Sequence, residues 1–116
     1  MLTDDDKRYM LNEFLKHLSH IQDKEYQNRV WINGKGPEVD DFDETVNNFS
    51  DLGDPILENY KDYGITETQH HLLIAFKNEF KAFYDEHDLP EEFIDTLEWK
   101  RIMEKAKEVV KALGRL

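Results

Sequence analysis

Apolar residues recur at three- and four-residue steps in three long segments of the chain, and each segment predicts an amphipathic helix. In the first, Leu11, Phe14, Leu15, Leu18 and Ile21 make one face, with Lys7, Asn12, Glu13, Lys16 and Asp23 opposite. Thr3 reads as its N-cap, and Asp4, Asp5 and Asp6 fill a first turn where the helix dipole favours negative charge. The helix runs from about residue 4 to the mid-twenties and is free to continue through Tyr26, Val30 and Trp31, since no breaker stands before Gly34. In the second, Leu72, Leu73, Phe76, Phe80 and Phe83 share a face, behind a capping box of Thr66 and Gln69 with Ile65 placed as a staple. This reads as the central helix, around which the others pack. In the third, Trp99, Ile102, Met103, Ala106, Val109, Val110 and Leu113 form a continuous stripe that Gly114 ends, with Asp95 and Glu98 as a cap pair. Pro90, Glu91 and Glu92 fit a short turn of helix before it.

The segments between them read differently. Asn33-Gly34-Lys35-Gly36-Pro37 is a break, too short and too irregular to be a phosphate loop. Val30-Trp31-Ile32 would suit a strand, but no second strand run exists to pair with it. Asp41 or Asp43 can cap a short helix containing Thr45, Val46 and Phe49. Ser50 to Pro55 carries turn residues, and Asp54-Pro55 reads as the start of another short helix that Gly64 closes. The expected architecture is all-α: one domain over residues 1–116, a bundle of three long amphipathic helices plus one or two short ones. Phe42, Phe49 and Trp99 are expected in its core, while Trp31 stays open between core and surface.

Charge changes this picture. The chain carries 26 acidic against 15 basic residues, a formal net charge of −11. Nucleic acid is thereby disfavoured as a direct ligand, and a basic protein, or a peptide or metal cation, is the more natural partner. From Glu38 to Tyr63 there are nine carboxylates (Glu38, Asp40, Asp41, Asp43, Glu44, Asp51, Asp54, Glu58, Asp62) against the single Lys61. Tyr60 and Tyr63 stand among them. Clustered charge steers an encounter and desolvated aromatics hold it, so this stretch is the candidate partner surface, with Asp51, Asp54, Glu58, Tyr60, Asp62 and Tyr63 as its binding residues. The last helix is basic on its outer side, through Lys100, Arg101, Lys105, Lys107, Lys111 and Arg115.

Other chemistry is poorly supported. There is no cysteine, which removes disulfides, thiolate nucleophiles and thiolate zinc sites. Glu67 and His70 make one E-x-x-H unit, but di-iron bundles need two such units and further glutamates. His17, His20, His70 and His71 therefore read as solvated or rim residues. Asp40, Asp41, Asp43, Asn47 and Asn48 are oxygen donors in a short run that lacks the calcium-loop order. No carboxylate pair is marked as a glycosidase acid and base, and no nucleophile elbow is present. The expectation is a protein that is no enzyme and holds no cofactor or metal. The N-terminus lacks a signal-peptide core and no apolar run is long enough to span a membrane, so a cytoplasmic location is expected.

At these residues the chain resembles bacterial toxin-immunity proteins, in particular those that neutralise nuclease toxins of the colicin type. These are small, acidic, helical proteins. In that family a short helix with neighbouring tyrosines, together with the carboxylates before it, binds the toxin domain. Asp54-Pro-Ile-Leu-Glu-Asn-Tyr-Lys-Asp-Tyr63 is similar in kind, although its tyrosines stand three apart rather than adjacent. The resemblance implies inhibition by occlusion of a basic nuclease surface. Two other classes stand beside it: a structural or adaptor protein acting through self-association or a partner helix, and a small metal-binding protein.

Overall fold

The computed structural model describes residues 3–36, 40–87 and 89–114. Pro37 of the expected break, Glu38 of the acidic stretch, Asp88 and Arg115 lie outside the described residues. Among the described residues the protein is all-α, with no strand. Helix α1 (Asp4–Ile21) is followed by the short α2 (Lys24–Tyr26), which runs on as a π-helical segment over Gln27–Ile32. Then come α3 (Phe42–Glu58), a 3₁₀ turn (Tyr60–Tyr63), α4 (Glu67–Glu86), the short α5 (Pro90–Phe93) and α6 (Leu97–Leu113).

The long helices pack in a closed order. Helix α1 lies between α3 and α6, α6 lies between α1 and α4, and α4 returns to α3. The expected hub, α4, is thus one wall of the bundle, because its apolar face is no wider than those of its neighbours. Its capping box is formed as expected: Thr66 accepts from the Gln69 N–H and Gln69 accepts from the Thr66 N–H. Thr3 and Asp6 make the same reciprocal pair at the start of α1.

The buried face of each helix is the predicted one. Phe14, Leu18 and Ile21 of α1, Leu73, Phe76, Phe80 and Phe83 of α4, and Trp99, Ile102, Ala106, Val109 and Leu113 of α6 form one core. Trp99 is its centre, with ring centroids 4.8 Å from Phe93, 5.2 Å from Phe83 and 5.9 Å from Phe42. Trp31 resolves as a core residue, 6.1 Å from Trp99. A buried amide ties this core to the end of α1. The Gln27 side chain accepts from the Trp99 indole N–H at 2.9 Å and donates to the carbonyls of His20 and Ile21. Those carbonyls belong to the unsatisfied end of a helix, so one side chain meets the needs of two elements.

Three local expectations are corrected. Helix α1 stops at Ile21, because Asp23 caps a new turn by accepting from the Tyr26 N–H. Thr96 rather than Asp95 caps α6, accepting from the Trp99 N–H at 3.2 Å, while Asp95 pairs with Lys24 at 2.7 Å. The largest difference lies in the middle of the chain. The two short helices are one: α3 runs without a turn through Ser50 to Pro55. Gly53 is there for close approach, not for turning. A Cβ on it would lie 2.9 Å from Phe14 Cε1, so the glycine lets α1 and α3 touch. Pro55 lacks the N–H that would bond the Asp51 carbonyl, but Asp51 faces water, which can take that bond.

Candidate partner-binding face

The fusion of two helices into α3 lines up their charges. Phe42, Thr45, Val46, Phe49, Gly53 and Ile56 are buried on one side. Glu44, Asn47, Asp51, Asp54 and Glu58 recur at steps of three, four, three and four residues and are exposed on the other. At 1.5 Å per residue this stripe is about 21 Å long. Helix α3 contains no Lys, Arg or His. Its last turn ends in Glu58, where the helix dipole disfavours a carboxylate. Asp62 in the following 3₁₀ turn is exposed as well.

Compensation is partial. Lys77 of α4 reaches Asp54 at 2.6 Å, with both side chains partly in water. Among the described residues no ion pair engages Asp51, Glu58 or Asp62. Asp43, at the edge of the stripe, accepts from the Tyr84 hydroxyl at 3.1 Å.

The two tyrosines separate in role. Tyr60 is half-buried and lies flat on His70, with centroids 3.8 Å apart and planes 17° from parallel. Its ring forms part of a shallow hollow with Glu58, Asn59, Lys61 and Asp62. Tyr63 is a core residue, 9% exposed, with its hydroxyl 3.6 Å from the Met10 sulfur. Burial, and then the charge of Asp62, raise its pKa above the ordinary phenol value. Tyr63 therefore holds the turn in place, and Tyr60 is the aromatic presented at the surface. The αL conformation of Gly64, with φ 76°, lets the chain leave that turn directly into the α4 cap.

Asp40 behaves unlike its neighbours. Its Oδ2 accepts from the Tyr26 hydroxyl at 2.7 Å, the Thr45 hydroxyl at 2.8 Å and the Trp31 indole N–H at 3.3 Å. Sequence reasoning counted it as one more charge of the acidic stretch and as an oxygen donor in a cation-type run, not as an internal acceptor. The signal was hidden because Tyr26 and Trp31 meet it through a π-helical segment, whose register no α-helical spacing reveals. His17 and His20 stand close to this carboxylate. Burial lowers the pKa of both below the ordinary value, while the charge of Asp40 opposes that shift. His20 stacks on Tyr26 at 3.8 Å.

The proposed ligand runs are dispersed by the fold. Of the calcium-type donors, Asp40 serves Tyr26, Thr45 and Trp31, Asp41 caps α3 by accepting from the Glu44 N–H, and Asp43 meets Tyr84. His70 is engaged by Tyr60, and the rings of His17 and His20 are 6.0 Å apart and edge-on. Among the described residues, the side chains that converge as metal ligands are Glu86, His87 and Glu98, at the other end of α4.

Comparison with protein-family models, with characterised proteins and with solved structures returns no match. Among the described residues no helix is long and apolar enough to cross a membrane.

Proposed function

We propose that this chain is a non-enzymatic acidic binding protein that occludes a basic protein partner, in the manner of an immunity protein against a nuclease-type toxin. The observation that carries this reading is the continuous acidic face of α3. Its carboxylates stand opposite the core, they are matched by no basic residue on their own helix, and one of them opposes the helix dipole. A charge needed only for solubility gains nothing from that placement. A nuclease must present cations to hold phosphates, and an extended row of carboxylates is complementary to such a surface. Asp51, Glu58 and Asp62 supply charge, Asp54 supplies it by exchanging Lys77 for a partner cation, and Tyr60 supplies an aromatic contact. Tyr63 contributes by fixing the turn that carries Tyr60 and Asp62.

The experiment is affinity capture from the native host's lysate, with the wild-type chain beside a variant carrying Asp51→Asn, Glu58→Gln, Tyr60→Ala and Asp62→Asn, both verified as folded by circular dichroism. A basic protein held by the first and lost by the second supports the reading. Stoichiometric inhibition of nuclease activity in that protein would identify the chain as an immunity protein. Equal recovery from both columns removes the α3 face from consideration.

A further inference from the structure

We propose that Glu86, His87 and Glu98 form a binding site for a divalent transition-metal ion of the zinc class, joining the end of α4 to the start of α6. One ligand atom from each of the three side chains lies within 4.8 Å of the others. The set is one imidazole and two carboxylates, the donor chemistry of three-ligand zinc sites that keep a fourth position for water. The elements bring them together in an ordered way. Glu86 is the last residue of α4, His87 is its C-cap in an extended conformation, and Glu98 is in the first turn of α6.

The central contact is between His87 and Glu98. His87 Nε2 is 3.3 Å from Glu98 Oε2, yet Nε2 is enclosed and makes no hydrogen bond. Two atoms at that distance without donor–acceptor alignment are placed as co-ligands would be. Ligands bound at about 2.0–2.1 Å in a tetrahedral site stand about 3.3 Å from each other. The imidazole is also held in place, since it packs on Phe83 at 4.3 Å and beside Phe93 at 6.3 Å. A ligand fixed by buried aromatics loses little freedom on binding. The surroundings favour a cation. The last turn of α4 has no basic residue, and its carbonyls carry the negative end of the helix dipole. Glu86 is exposed, and its ligand atom already stands within reach of the other two. Arg101 borders the same hollow as Glu86 and Glu98.

This site stands at the opposite end of α4 from His70 and His71, includes neither His17 nor His20, and does not depend on the α3 face. The test is titration calorimetry of the chelator-treated full chain with zinc chloride, with calcium chloride as control. The expected result is one zinc per chain with Kd of about 1–100 µM and no calcium binding. Glu98→Gln and His87→Gln, each verified as folded, should weaken zinc binding tenfold or more. His17→Gln with His20→Gln should leave it unchanged. No zinc binding up to about 1 mM overturns the proposal. So does zinc binding that survives both Glu98→Gln and His87→Gln, or that disappears with His17 and His20.

Discussion

Asp40 and Glu58 belong to the same acidic stretch and have opposite fates. Asp40 is half-buried, with three donors on one oxygen, and it ties the π-helical segment to the start of α3. Glu58 is exposed at the end of α3, where the dipole works against it. The first carboxylate holds the fold. The second contributes nothing to it that the geometry reveals. Charge density along a sequence therefore mixes two kinds of residue, and only burial and hydrogen bonding separate them.

The comparison breaks most readily at Asp40. Asp40→Ala leaves the Tyr26, Trp31 and Thr45 donors without an acceptor, and the expected loss is about 3 kcal/mol, read from denaturant unfolding. A loss under about 0.5 kcal/mol would place Asp40 with the surface charges. Gly53→Ala comes next. The new methyl meets Phe14, which is fully buried and has no room to retreat. Better helix propensity offsets part of that clash, so a net loss of about 1–2 kcal/mol is expected from the same measurement.

The histidines beside Asp40 sharpen the contrast through pH. Burial holds the folded pKa values of His17 and His20 below 6.5. The unfolded chain then takes up protons first as pH falls. Stability should be fully present above pH 6.5 and decline as pH drops through the lowered folded values. His17→Gln with His20→Gln should flatten that part of the profile. The smallest effect belongs to the outer face. Asp51→Asn with Glu58→Gln and Asp62→Asn should change stability by less than about 0.5 kcal/mol, or raise it slightly by relieving repulsion and the unfavourable dipole.

Much of the fold was legible because burial follows helical period. The apolar faces of α1, α4 and α6, the Thr3 cap and the Thr66–Gln69 capping box stand in the sequence in plain order. Helix α3 was not legible as one element, because Gly53 and Pro55 are local breakers and the reason for Gly53 is Phe14, 39 positions away. Only the tertiary contact explains it. The candidate face was half legible for the same cause. Its carboxylates could be named, but their alignment needed an unbroken helix. Tyr60 and Tyr63 looked equivalent because both stand among carboxylates in one short segment; only their tertiary neighbours, His70 for the first and the core with Met10 for the second, separate them. The Glu86–His87–Glu98 cluster carries no spacing signal, since its members come from the end of α4 and the start of α6, with α5 between them.

The most direct measurement of the central claim is the association rate between this chain and the basic protein it captures, followed against salt for the wild type and for the Asp51→Asn, Glu58→Gln, Asp62→Asn variant. The wild-type rate should fall about tenfold or more between low and high salt, and the variant should start lower and respond less. Identical rates and identical salt dependence for the two proteins would contradict the assignment of the α3 face as the surface that meets the partner.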